Sequence, residues 1–250
     1  MNYQIEVCID NLESLYLAIA GGATRIELCS SLTLGGLTPS FGMMQQAAKQ
    51  SSVPIYAMIR PRQGDFLYDD DDIAMMASDI QAAATANLQG VVLGLLTADG
   101  EIDVVRAKPL IDLAHQLGLG VTFHRAIDQS RDALKSLEQV IELGCERVLT
   151  SGLAADVVSG IETLKQMQSL AAGRITIMAG AGLNAQNVAQ IVTQCAIREV
   201  HLSGKTSRPS LMNKAANQAH MGSKNVNDFV VPITSSAAIQ SVVDALQALK

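Results

Sequence analysis

Gln4-Ile5-Glu6-Val7-Cys8, then a helical stretch over 12–20, then Arg25-Ile26-Glu27-Leu28-Cys29, is the part of the chain whose reading decides the fold. Both five-residue runs alternate apolar with polar side chains, and on a strand this alternation sends the two kinds to opposite faces. Two such strands joined by a helix make a β–α–β unit, and the pattern recurs. Met58-Ile59-Arg60, Thr122-Phe123-His124 and Glu199-Val200-His201-Leu202-Ser203 read the same way. Strands are expected over 3–9, 24–29, 54–60, 90–95, 119–124, 146–151, 174–179 and 198–203. Amphipathic helices are expected over 12–20, 41–49, 72–86, 104–117, 131–143, 155–171, 185–194 and 235–249. Gly21, Gly118 and Gly144 each stop a helix just before the next strand. Eight strands alternating with helices predict a TIM (β/α)8 barrel, one domain over 1–250, and 250 residues suit that fold. An open doubly wound sheet is disfavoured, because its first strand leads into a Gly-rich phosphate turn. Here the first strand leads into Cys8-Ile9-Asp10.

Composition narrows the function classes. With 18 Lys and Arg against 24 Asp and Glu the net charge is −6, which gives no reason to expect nucleic acid or an anionic membrane surface as partner. No apolar run approaches the 18 residues that would suggest a spanning helix. A strand begins almost at Met1, so no secretory leader is expected and the cytoplasm is the expected location. The four cysteines, at 8, 29, 145 and 195, lack paired metal-ribbon spacing and are expected as thiols. The acidic run Asp69–Asp72 suits a helix N-terminus, where carboxylates face the positive end of the dipole. Nothing marks a domain linker. The stretch 204–232 after the eighth strand is polar, holds Lys205, Arg208, Lys214, His220 and Lys224, and is expected as a long loop.

Barrel enzymes work at the C-terminal ends of their strands. That end carries Cys8, Cys29, Arg60 with Arg62, His124 with Asp128, Ser151, the Gly180–Gly182 turn, and His201 with Ser203. Glu6, Glu27, His124, Asp128 and His201 are acid–base candidates. Arg60, Arg62, Gly180, Gly182 and Ser203 are candidates to hold an anion, since the turns after the last two strands bind phosphate in many barrels. Plainer readings stand beside these. Glu6 and Glu27 pair with Arg25, Arg60 or Arg147 in a filling ion network, the histidines are bonded core residues, and the glycines serve a tight turn. Cys8 and Cys29 end neighbouring strands, about 4.8 Å apart, so their sulfurs either share one ion or are two small buried hydrophobes. A soft thiolate pair suits Cu(I), whereas zinc asks for four ligands.

A series of longer strings adds to this. Glu6-Val7-Cys8, Arg25-Ile26-Glu27-Leu28-Cys29-Ser30, Gly36-Leu37-Thr38-Pro39-Ser40, Met58-Ile59-Arg60-Pro61-Arg62, Asp99-Gly100-Glu101-Ile102-Asp103, Thr122-Phe123-His124-Arg125-Ala126 and Leu149-Thr150-Ser151-Gly152 occur in this order. Together, from about residue 3 to residue 210, the chain resembles the CutC family of copper homeostasis proteins. The resemblance implies a cytoplasmic TIM barrel, usually oligomeric and most often a homodimer, with a part in copper tolerance. It also implies that Cu(I) binds a cysteine pair falling on Cys8 and Cys29.

Two functions follow. One is a copper protein that holds Cu(I) through Cys8 and Cys29 and turns over no metabolite. The other is an enzyme acting on a small anionic, phosphorylated or sugar-like, metabolite at the barrel mouth. There Glu6, Glu27 and His124 would move protons, Arg60 and the Gly180–Gly182 turn would hold the anion, and His201 would orient it. No lysine ends a strand inside the barrel; Lys205, just past the eighth, is the nearest candidate for a Schiff base.

Overall fold

The computed structural model describes residues 3–213 and 227–249. Strands β1 (Gln4–Ile9), β2 (Arg25–Leu28), β3 (Ile55–Met58), β4 (Gly90–Leu93), β5 (Gly120–Phe123), β6 (Arg147–Thr150), β7 (Thr176–Ala179) and β8 (Glu199–Leu202) run parallel. They close into one barrel in chain order. Helices α1 (Leu12–Ala20), α2 (Phe41–Gln50), α3 (Asp70–Thr85), α4 (Val104–Gln116), α5 (Ala133–Glu142), α6 (Ile161–Ala171), α7 (Val188–Cys195) and α8 (Ser236–Gln247) surround it. This is the expected TIM barrel.

Helix starts follow the capping chemistry of the sequence. Asn11 accepts from the Ser14 N–H at 2.8 Å, Asp69 from Asp72 at 2.9 Å, and Ser235 from Ala238 at 3.2 Å. Asp132 takes both the Leu134 and Lys135 amides at 3.0 Å. The acidic run is therefore the head of α3, with Asp69 as its cap. Along β1, Ile5, Val7 and Ile9 join the apolar layer beneath the helices, together with Leu15 and Ala18 of α1. The alternate residues turn into the barrel, where Glu6 is fully buried. That is the reverse of a half-solvated sheet. Both faces are covered, and the polar face is the inner one.

Register decides which inner residues meet. Glu6 lies opposite Arg25 on β2 and opposite His201 on β8, while Cys8 lies opposite Glu27 rather than Cys29. The stagger that closing a barrel imposes carries Cys29 two positions beyond Cys8.

The stretch after β8 is more ordered than its polarity suggested. β9 (Lys205–Pro209) and β10 (Val230–Thr234) form an antiparallel ribbon, pairing Thr206 with Ile233 and Lys205 with Thr234. Backbone ladders do not depend on side-chain polarity, so the polar composition of β9 hid them. The ribbon is tied to α1: Arg208 pairs with Glu13 at 2.9 Å, and Ser14 Oγ accepts from the Thr234 N–H at 3.0 Å. Lys214, His220 and Lys224 lie outside the described residues. Among the described residues no helix is long and apolar enough to cross a membrane.

Candidate functional site

The floor of the barrel is an ion network. Arg25 Nε donates to Glu6, and Arg25 Nη2 reaches Glu199 at 2.6 Å. Arg147 Nε binds the same Glu199 oxygen at 2.9 Å and its Nη1 donates to Thr122 Oγ1 at 3.2 Å. The Tyr56 ring lies against both guanidinium groups, 5.5 Å from Arg25 and 5.2 Å from Arg147. Two arginines and two glutamates thus neutralise one another, Arg25 and Glu6 buried and Arg147 and Glu199 at the edge of solvent. Of the arginines expected to pair with Glu6 or Glu27, Arg25 takes Glu6, Arg147 takes Glu199, and Arg60 takes neither. Burial pushes the Glu6 carboxyl up, but Arg25 and His201 outweigh it and bring it down to about 2. Glu6 is therefore held as an anion at neutral pH.

Above this floor, β1, β2 and β8 bring three ligand-type atoms together. One donor atom each from Cys8, Glu27 and His201 lie within 4.8 Å of one another, and all three residues are buried. His201 Nδ1 stands 2.9 Å from Glu6 Oε1, and an ionised carboxylate only accepts, so Nδ1 carries the proton there. Its Nε2 points the other way, 3.8 Å from Glu27 Oε2. A carboxylate that orients an imidazole through its far nitrogen is the usual outer support of a metal-binding histidine. Gly180 makes room for it: a Cβ there would lie 3.2 Å from His201 Cβ and 2.7 Å from Leu149 Cδ1.

Cys29 Sγ donates to Glu27 Oε2 at 3.5 Å. Burial, and after it the neighbouring Glu27 and Cys8, push the Cys29 thiol well above its ordinary value. Burial also raises the Glu27 carboxyl, against the pull of His201, and Glu27 Oε1 is buried without a partner. Burial pushes His201 down, yet Glu27 and Cys8 beside it hold it well above the ordinary imidazole value. A half-satisfied carboxylate, an oriented imidazole and a thiol fit a metal ion. Cysteine and histidine are donors suited to copper or zinc. Cys145 and Cys195 are buried thiols elsewhere in the apolar core.

The wall from β3 to β5 has another character. Arg60, at the end of β3, is 6% exposed and donates to the backbone carbonyls of Leu34 at 2.9 Å, Gly36 at 3.1 Å and Gly64 at 2.8 Å, with the Tyr68 hydroxyl beside its guanidinium. His124, after β5, accepts the Ala126 N–H on Nδ1 at 3.1 Å. Gly94 admits that ring, since a Cβ would lie 2.4 Å from Nδ1. Burial, with Arg60 and Arg125 adding to it, lowers His124 to about 3, so the ring is neutral and its proton sits on Nε2. Phe66, in the loop after β3, touches both: its centroid is 5.2 Å from Arg60 Cζ and 4.9 Å from the His124 ring.

Between the walls opens a cavity of about 990 Å³. Cys8, Glu27 and His201 line one side, Arg60 and His124 another, and Gly182 and Ser203 border it at the β7 and β8 ends. The sequence-based candidates separate accordingly. Gly180 packs behind His201. Arg62 leaves the cavity and binds Asp72 at 3.0 Å and Asp65 at 3.1 Å, against the Tyr68 ring. Asp128 borders the cavity, but its oxygens are taken by Arg125 Nε, Thr150 Oγ1, the Ser151 amide and hydroxyl, and the Leu153 amide. It holds the turn after β6. Lys205, at the start of β9, lines the cavity and is exposed. Sequence reasoning missed Glu199, Tyr56 and Phe66. Glu199 was findable, being two residues before His201 on the same inner face; Phe66 sits in a loop without periodicity and carries no such signal.

Comparison with known proteins identifies the family and the fold. The CutC family model matches residues 3–206. A CutC family protein of Vibrio cholerae serotype O1 is 61% identical over 249 residues, covering 100% of this chain and 98% of its own. A Vibrio campbellii CutC family protein is 62% identical over 246 residues, covering 98% of this chain and all of its own. A solved structure from Streptococcus agalactiae, of a CutC protein named for copper homeostasis, superposes with a TM-score of 0.75 at 32% identity. It covers 80% of this chain and 97% of that one.

Proposed function

The chain belongs to the CutC family, whose named role is copper homeostasis, and from that premise we propose that it binds Cu(I) at the barrel mouth. The observation that carries this reading is the convergence of Cys8, Glu27 and His201, with Glu6 holding the imidazole from behind. Cys8 and His201 supply the soft and borderline donors that Cu(I) prefers. Cys29, hydrogen-bonded to Glu27, is the second thiol within the same corner. Thiols must lose their protons to ligate, and Glu27 with its free oxygen is placed to accept one. In the cell the protein would act in the cytoplasm, as a homodimer, and add to copper tolerance, as the family resemblance implies.

The test is an anaerobic Cu(I) competition titration against a chromophoric chelator. One-to-one binding is expected in the wild type. It should disappear in Cys8→Ser and weaken by roughly 10-fold or more in Glu6→Gln, which takes the charged support from His201 and also from Arg25. Equal binding by wild type and Cys8→Ser would overturn the site, and absence of tight binding would overturn the copper function.

A second reading rests on the cavity. About 990 Å³ is far more than one ion fills and is the size of a metabolite pocket. It supports an enzyme acting on a small molecule between the two walls, with metabolite screening as its test.

A further inference from the structure

We propose that the β3–β5 wall is a receptor for the oxyanion end of a small molecule, a carboxylate or a phosphate, with Arg60 supplying the charge and His124 Nε2–H a directed donor. This names the substrate class for the enzyme reading, on which it rests only for what becomes of the molecule after binding.

Charge accounting singles out this wall. Arg25 and Arg147 are matched by Glu6 and Glu199, and Arg125 by Asp128 at 2.7 Å. Among the described residues no carboxylate pairs with Arg60. Its neighbours are neutral, three carbonyls and the Tyr68 hydroxyl, which orient the guanidinium without cancelling its charge. A buried cation without a counter-anion is costly, and the cost falls away when a ligand brings one.

The hydrogen-bond inventory agrees. Arg60 Nε and His124 Nε2 are both buried donors without a partner. Such groups are rare in folded proteins and ask for a reason. Both belong to residues that line the cavity, and both flank one aromatic ring, Phe66. That ring packs between the two donors, 5.2 Å from Arg60 Cζ and 4.9 Å from the His124 ring. Phe66 is only half-buried and also lines the cavity, so it is the side chain that must swing aside when the anion enters.

The geometry also separates this receptor from the β7–β8 turns, where barrels commonly seat phosphate. Gly182 and Ser203 offer backbone and hydroxyl groups there, whereas the uncompensated charge lies across the barrel at β3. A molecule held at Arg60 would extend toward Cys8, Glu27 and His201.

Isothermal titration of chelator-treated protein with inorganic phosphate, and separately with malonate, tests the proposal. One of the two should bind saturably at one site. Phosphate alone binding assigns a phosphorylated ligand; malonate alone, or both alike, assigns a carboxylate receptor. His124→Asn, whose Oδ1 can still accept the Ala126 amide, should weaken binding roughly tenfold. Arg60→Gln should abolish it, and Phe66→Ala should bind at least as tightly as wild type. Because Arg60 also anchors loop carbonyls, the His124 variant decides if Arg60→Gln misfolds. Failure of both anions to saturate, or wild-type binding in His124→Asn, overturns the receptor. Cu(I) binding with neither anion bound defeats this inference and leaves the copper reading standing. Anion binding without turnover keeps the receptor and defeats only the enzyme.

Discussion

The two walls of the cavity each present one buried histidine, and the two rings sit in opposite electrostatic surroundings. His201 stands between Glu6 and Glu27; His124 stands beside Arg60 and Arg125. Burial by itself lowers both. The carboxylates overturn that for His201, raising it well above the ordinary value, while the guanidinium groups reinforce it for His124, which falls to about 3. One wall is therefore a corner of anions and thiols suited to a cation. The other is a cationic wall with a neutral donor, suited to an anion. The contrast teaches that burial sets how strongly a neighbour is felt, and that the neighbours decide the sign.

Removing Glu6 should disturb this contrast most. Glu6→Gln keeps the volume but leaves Arg25 and His201 each short of a charge in a fully buried position. Breaking one partner of a buried pair costs about 3–5 kcal/mol. Urea unfolding of chelator-treated protein should show a loss of that size. A loss below about 1 kcal/mol would mean that the floor relaxes around the change, and the cation-binding corner would lose its claim to be preorganised.

How far the two walls were legible in advance follows the same division. The barrel was readable because period-two alternation survives in runs as short as Arg25–Leu28, because the acidic run from Asp69 marks a helix start, and because Gly21, Gly118 and Gly144 follow the ends of helices. The inward residues Glu6, Cys8, Glu27 and His201 were readable for the same reason. Which of them touch was not, because contact depends on register: the stagger puts Glu27, not Cys29, opposite Cys8. The Arg60 wall was half legible. Arg60 and Arg62 look equivalent along the chain, yet one turns into the barrel and the other pairs with Asp65 and Asp72 outside it. The ribbon of β9 and β10 was invisible, since its polar strand resembles a loop until its partner, more than twenty residues on, is in place.

Acid stability can sharpen the contrast from the His124 side. Its folded pKa, about 3, lies below the ordinary 6.5, so the unfolded chain takes up a proton before the folded one does. The contribution is fully present above pH 6.5 and is lost as pH falls toward 3. Between pH 7 and pH 5 this one group should remove about 2 kcal/mol, at 1.36 kcal/mol per unit. His124→Asn cannot take up that proton, so its stability should fall less over the same interval. Parallel pH curves for the two proteins would show that His124 is not the neutral donor its surroundings dictate.

The smallest effect is expected at Arg62, which tests where the cationic wall ends. Its side chain is 39% exposed, and one of its two partners, Asp65, is 67% exposed, so water screens much of the attraction. Asp72, buried at the head of α3, gives the pair what strength it has. Arg62→Gln should therefore cost no more than about 1 kcal/mol in thermal unfolding. It should leave phosphate and malonate titrations unchanged, because the side chain is directed away from the cavity and its charge is already spent on two aspartates. A clear loss of anion binding would extend the receptor beyond Arg60 to Arg62 and the outer part of the loop after β3.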